Sequence, residues 1–234
     1  MDISLHYRKK GSGPPLLLLH GNGESGEYFV HQMDEFARHF TVYAVDTRGH
    51  GQSPRGTAPF TISQFADDLL EFMDGLGIDK ADILGFSDGG NIALTFALRR
   101  PERVGRLVLN GANLDPAGVK PAVQIPIVLG YKLASLFQAP KARANAELLG
   151  LMVNEPHIDP GELAALTMPV LVIVGSRDMI RAAHSRLIAD SLPHGRLVTV
   201  EGDHFIANKR PEPFNQAVLG FLKEEIPWAN CGWR

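Results

Sequence analysis

Ser87 lies in Gly85-Phe86-Ser87-Asp88-Gly89-Gly90, between the apolar run Ala81-Asp82-Ile83-Leu84 and the helical stretch Asn91-Ile92-Ala93-Leu94-Thr95-Phe96-Ala97-Leu98. A serine between two close glycines, where a strand turns into a helix, has the pattern of a nucleophile elbow. The turn is expected to hold Ser87 in a strained backbone conformation, and a Cβ at position 85 or 89 would collide with a neighbouring strand or helix. It also exposes the hydroxyl beside the N–H dipoles of a helix N-terminus, where negative charge is favoured. Such a hydroxyl is a weak nucleophile at neutral pH and needs a base, usually a histidine oriented by a carboxylate.

Nine histidines compete for the role of base. His204, in Val200-Glu201-Gly202-Asp203-His204-Phe205, follows the last expected strand, which puts it at the same carboxyl edge of a parallel sheet as Ser87. His184 and His194 lie in or just after a helix and read as solvated surface groups. His6, His31, His39 and His157 have no strand end beside them. His20 and His50 sit near the catalytic edge, where hydrogen bonding that shapes their loops is the expected work. The sequence therefore selects His204.

For the acid, Asp178 follows the strand Val170-Leu171-Val172-Ile173-Val174, at the same edge and in the chain order Ser, acid, His. An N-cap for the next helix is its alternative role. Asp115 is the second candidate, and Asp203 abuts His204 too closely in sequence to reach its ring nitrogen. Donors for a tetrahedral oxyanion are expected at the backbone N–H of Asp88 and of Asn22, with Gly23 second, in the loop His20-Gly21-Asn22-Gly23. That loop lacks the lysine of a nucleotide-binding loop and the spacing of a dinucleotide fingerprint. The Asp88 side chain reads as a partner for the helix dipole, or alternatively as a pocket wall favouring a cationic or polar group. No His-x-x-x-His, cysteine cluster or paired-carboxylate spacing argues for a metal, and the chemistry needs no cofactor.

These residues need a frame that brings distant loops together. Apolar runs at Leu16–Leu19, Thr41–Val45, Leu107–Leu109 and Val170–Val174 alternate with helical spacing over Glu27–Phe40, Ile62–Met73 and Pro211–Lys223. Alternating segments at Ile3–Arg8 and Arg196–Glu201 add further strands. The pattern is α/β: a mainly parallel sheet of about seven strands with helices on both faces. Between Gly111 and Met168 no strand is visible, and helical segments around Val119–Phe137 and Lys141–Val153 break the rhythm. We read residues 1–234 as a single domain with a small helical cap inserted at about 112–165. The cap either packs on the sheet or a subunit, or roofs an apolar substrate pocket.

The chain has 234 residues, 44% hydrophobic and 21% charged, which suits one sizeable globular domain. A formal net charge of −3 and no Lys/Arg run exclude a nucleic-acid surface. The lone Cys231 excludes an internal disulfide and a cysteine metal site, and suits a reducing compartment. The N-terminus carries no signal-peptide core, and Leu16–Leu19 is too short to span a bilayer. A cytoplasmic protein with neither membrane nor nucleic-acid partner is expected, its oligomeric state open.

The motifs Leu19-His20-Gly21-Asn22-Gly23, Asp46-Thr47-Arg48-Gly49-His50-Gly51-Gln52-Ser53, Gly85 to Gly90, Gly175-Ser176-Arg177-Asp178 and Gly202-Asp203-His204-Phe205 span nearly the whole chain. Together they resemble the α/β-hydrolase superfamily, specifically its small capped serine hydrolases. Ser-Asp-Gly-Gly followed by Gly111-Ala112-Asn113 is most similar to the biphenyl-hydrolase-like esterases. The resemblance implies a carboxylesterase working through an acyl-enzyme on Ser87, His204 and Asp178, with the Asp46–Ser53 stretch a structural loop. Serine at 87 disfavours the branches that use Asp or Cys there. The N-terminus begins close to the first strand, which implies that one strand of the usual eight is missing. Lactonases, carbon–carbon bond hydrolases, aminopeptidases, acyltransferases and cofactor-free perhydrolases share the constellation. A ligand-sensing regulatory protein on a hydrolase scaffold is the non-enzyme alternative.

Overall fold

The structure, a computed structural model, describes residues 2–224; Cys231 lies outside them. Its strands are β1 (Tyr7–Lys10), β2 (Pro15–Leu19), β3 (Thr41–Val45), β4 (Ala81–Phe86), β5 (Val104–Asn110), β6 (Val170–Gly175) and β7 (Gly195–Val200). They form one sheet in the order β1-β3-β2-β4-β5-β6-β7, all parallel except β1, which runs antiparallel to β3. The helices are α1 (Val30–Phe36), α2 (Ile62–Gly75), α3 (Asp88–Arg99), α4 (Pro121–Ala134), α5 (Pro140–Asn154), α6 (Ala182–Ser191), α7 (Ile206–Lys209) and α8 (Pro211–Lys223).

The uninterrupted apolar strands follow from burial on both faces. Leu17, Leu19, Ile83, Leu107, Leu109, Val170 and Val172 point into one core with side chains of α2, α3 and α6. Their neighbours Leu16, Leu18, Leu84, Val108, Leu171 and Ile173 point into the other, with α1 and α8. Side chains alternate across a strand, so a strand covered on both sides must be apolar at every position.

Two expected elements differ. The first strand covers Tyr7–Lys10 rather than Ile3–Arg8. Its partner β3 ends at Val45, leaving residues 3–6 no ladder to join. The helix expected over Glu27–Phe40 is a 3-10 turn, Gly26–Phe29, followed by α1, which stops at Phe36. Phe40 fits the helical spacing because it is buried in the same core, reached by a turn whose amides bond back to Phe36 O (3.0 Å from both His39 N and Phe40 N).

Between β5 and β6 the chain leaves the sheet for α4, α5 and a 3-10 turn at Pro160–Ala165. Among the described residues no helix is long and apolar enough to cross a membrane. The strand order reverses at β2, with β3 on one side and β4 on the other. In open parallel sheets the crevice at such a point, beyond the carboxyl ends of the strands, is where ligands bind. The loops carrying His20–Gly23 and Ser87 leave from β2 and β4, and those carrying Asp178 and His204 from β6 and β7.

Candidate active site

Ser87 adopts φ 53° and ψ −120°, the only positive φ at a non-glycine residue among the described residues. Such a conformation costs on the order of 1–3 kcal/mol and persists only where surrounding bonds fix it. Here Ser87 N donates to Asn110 O of β5 (2.8 Å), while Ser87 O accepts from Gly90 N (2.8 Å) and Asn91 N (3.1 Å). A Cβ on Gly89 would strike Leu19 O of β2, and one on Gly85 would strike Gly89 O, so both flanking glycines permit close backbone contact. The Ser87 side chain makes no capping bond to α3 and is left available.

The structure brings His204 and Asp178 into direct contact, with Nδ1 2.7 Å from Asp178 Oδ1 and both side chains buried. Asp178 also accepts from Ile180 N on Oδ1 (3.0 Å) and from Gly175 N on Oδ2 (3.2 Å). Burial pushes this carboxyl up, but the bond to His204, its charge and the two N–H donors outweigh it and hold Asp178 below the usual carboxylate range. With Nδ1–H donated to Asp178, the acceptor nitrogen is Nε2, which is buried and has no hydrogen-bond partner. No hydrogen bond joins Ser87 to His204 Nε2 in this structure. Phe86, the residue before Ser87, packs its ring 4.8 Å from the imidazole. Gly111, next to the Asn110 carbonyl that holds Ser87, has φ 63° and leaves the room that His204 occupies. A Cβ there would lie 2.6 Å from His204 Cε1.

In the loop after β2, His20 Nε2 accepts from Thr47 N (3.0 Å), which fixes Nδ1–H as the donor to Gly21 O (2.7 Å). Burial, aided by His50, pushes His20 down to about 4, so it stays neutral and ties two loops together. His50 Nδ1 bonds within its own loop, to Arg48 O (2.9 Å) and Thr47 Oγ1 (3.1 Å). Asn22 Nδ2 donates to Asp88 Oδ2 (2.9 Å) and to Leu148 O of α5 (2.7 Å). The side chain of residue 22 is thus tied to that of residue 88. As the first residue of α3, Asp88 has an N–H without an intrahelical acceptor.

The Asp88 carboxylate is buried and is more than a partner for the helix dipole. It accepts from Asn22 and from Asn91 Nδ2 (3.3 Å), and Asn91 bonds in turn with Asn113 (Nδ2 to Oδ1 3.1 Å; Asn113 N to Asn91 Oδ1 2.9 Å). Burial pushes Asp88 up to about 6, against the pull of Asn22.

The other sequence candidates lie elsewhere. Asp115 caps a short 3-10 turn and faces His157 (2.7 Å). Asp203 accepts from Phe205 N (2.9 Å) and pairs with Lys209, turned from the His204 ring. His184, read as solvated, is half-buried: its Nε2 accepts from Leu114 N (3.0 Å), and its ring occupies the space a Cβ on Gly118 would need. Sequence reasoning missed Glu24, whose Oε2 accepts from Gly21 N (3.2 Å) and which burial pushes up to about 7. An acidic residue in a glycine-rich loop after a buried strand was the available signal. It also missed Asn91 and Asn113, which look in sequence like ordinary helix and loop polar residues. Among the described residues no group of three or more His, Cys, Asp or Glu could hold a metal ion.

Residues 14–131 match the model of the alpha/beta hydrolase fold family, and the chain belongs to that family. Among similar proteins is "Putative carbamate hydrolase RutD" of Caulobacter sp. (strain K31), 31% identical, over 94% of this chain and 96% of that protein. Among solved structures, a hydrolase from Pseudomonas aeruginosa PA01 superposes with a TM-score of 0.79 at 29% identity, over 95% of each chain. The enol-lactonase from Burkholderia xenovorans LB400 gives 0.81 at 25% identity, over 95% of this chain and 97% of that one.

Proposed function

We propose that the protein is a serine hydrolase that cleaves a small carboxylic ester through an acyl-enzyme. The observation that carries this reading is the buried His204–Asp178 pair, its Nε2 unoccupied, at the sheet edge where Ser87 stands on its strained turn. Ser87 Oγ attacks the ester carbonyl as its proton passes to His204 Nε2. Asp178 holds the tautomer and stabilises the imidazolium that forms. The oxyanion takes hydrogen bonds from the N–H groups of Asn22 and Asp88, each worth about 3 kcal/mol in the transition state. Collapse of the intermediate breaks the bond to the leaving alcohol, which takes its proton from His204. Water, deprotonated by the same imidazole, then releases the acid and restores Ser87.

We read α4 and α5 as a cap over this site, which the hydrogen bond from Asn22 to Leu148 O supports. A lactone or carbamate carbonyl would suit the same machinery, and the names of the enol-lactonase and carbamate-hydrolase relatives favour that second reading.

Chromogenic esters, amides, lactones and carbamates, tried against the wild type and Ser87→Ala, test both readings. Ester turnover should fall by on the order of 10⁶-fold in the variant, as for a lost serine nucleophile, while its melting curve stays cooperative. Undiminished turnover by folded Ser87→Ala would refute the proposal. A preference for lactones or carbamates would move the substrate class and leave the chemistry standing.

A further inference from the structure

Helix α4 has no buried residue. One side rests on α5, with Gln124 Nε2 donating to Met152 O (3.0 Å). The other presents Ile125, Leu129 and Leu133, four residues apart and so on one face, and just past the helix end Leu136 and Phe137 extend the apolar surface. Each of the five is between 55% and 75% exposed, and they are five of the nine large hydrophobic residues exposed among the described residues. Scattered exposed apolar side chains are ordinary, but a contiguous row of large ones marks a surface that meets something.

Charge indicates what it meets. From Val119 to Ala146 the chain carries Lys120, Lys132, Lys141 and Arg143 and no carboxylate, in a protein whose formal net charge is −3. Among the described residues none of these four forms an ion pair. Two carboxylates near α4, Glu147 and Glu155, line a groove on its Tyr131 and Ser135 side, and Glu147 is paired with Arg55 (2.6 Å). A row of Ile, Leu and Phe in a segment whose own charges are all cationic combines apolar surface with positive charge, the two features that hold a helix at an anionic lipid–water boundary. A second copy of the chain fits less well. In a two-fold contact the same patch faces itself, setting like charges against each other.

We infer that the outer face of α4 and the turn after it form a docking surface for an anionic lipid membrane. Ile125, Leu129, Leu133, Leu136 and Phe137 enter the acyl boundary, and the four cations meet headgroup phosphates. The sequence-based expectation of no membrane partner rested on the lack of a spanning segment, which a surface contact does not require. This surface is also independent of the chemistry proposed for Ser87.

The test is co-sedimentation of the intact protein with phosphatidylcholine vesicles, with and without phosphatidylglycerol. Three variants accompany it: Leu129→Glu/Leu133→Glu, Lys132→Glu/Lys141→Glu and Ser87→Ala. Binding should require phosphatidylglycerol, weaken with salt, and fall by about tenfold or more in each glutamate variant, while Ser87→Ala binds like the wild type. The positions changed in the two glutamate variants are exposed, and melting curves check that all three variants fold. Failure to sediment with phosphatidylglycerol vesicles, or binding untouched by both glutamate variants, would overturn the inference. So would a dimer in analytical ultracentrifugation that Leu129→Glu/Leu133→Glu dissociates, with no vesicle binding by the wild type.

Discussion

At Asp178, burial and hydrogen bonding pull in opposite directions, and hydrogen bonding wins. A carboxylate kept ionised in a buried setting can fix the proton of His204 on Nδ1. Asn at this position would preserve the shape but allow the wrong tautomer. We expect Asp178→Asn to lower kcat on the order of 10⁴-fold, read in steady-state ester kinetics with KM changed little. At Asp88 the balance is reversed, and burial lifts the carboxyl up to about 6. The native state then holds a proton that the unfolded chain has released, so this group's stabilising contribution is complete below about pH 4 and is lost as pH rises through about 6. The stability advantage of wild type over Asp88→Asn should therefore shrink across that window, by about 3 kcal/mol at 1.36 kcal/mol per pKa unit. Urea unfolding of both proteins at several pH values measures it. Parallel stability curves would show that Asp88 does not titrate there.

Among the elements, the loop after β3 is held by buried ionic contacts. The Arg48 side chain is fully buried, with Nε and Nη2 each 2.7 Å from an oxygen of Asp68 in α2, and Nη2 also 2.7 Å from Asp2. Asp46 in the same loop accepts from Gly26 N (2.7 Å) and Gln52 N (2.9 Å). Arg48→Met would leave Asp68 buried without its cation, at a cost of about 3–5 kcal/mol. Denaturant unfolding should show that loss, and Arg48→Met/Asp68→Leu should recover much of it. Helix limits were legible where local chemistry sets them. Pro211 opens α8, and Thr61 caps α2 through its side chain to Gln64 N (3.1 Å). They were not legible at α1, where Phe40 imitates helical spacing because the core, not the helix, requires it. The first strand shifted for a related reason: an edge strand's length is set by its partner, which local sequence does not contain.

For the molecule as a whole, topology made the candidate site readable. A parallel sheet sends every βα loop to one edge, so a glycine-flanked serine, an aspartate after one strand and a histidine after the next could be proposed together before any distance was known. Their contact partners could not. Asn22 reaching Leu148 O, and the amide network from Asp88 through Asn91 to Asn113, depend on how α5 and the loop after β5 settle over the sheet. Long-range polar contacts of this kind carry no sequence period to detect. In the proposed reaction Ser87 Oγ is the atom that takes the acyl group. Rapid quenching of the protein with a p-nitrophenyl ester, followed by peptide mass measurement, tests this directly. The prediction is an added acyl mass on the peptide containing Ser87, formed at least as fast as turnover and absent in Ser87→Ala. Steady ester turnover with Ser87 unmodified, or with the acyl group on another residue, would contradict it.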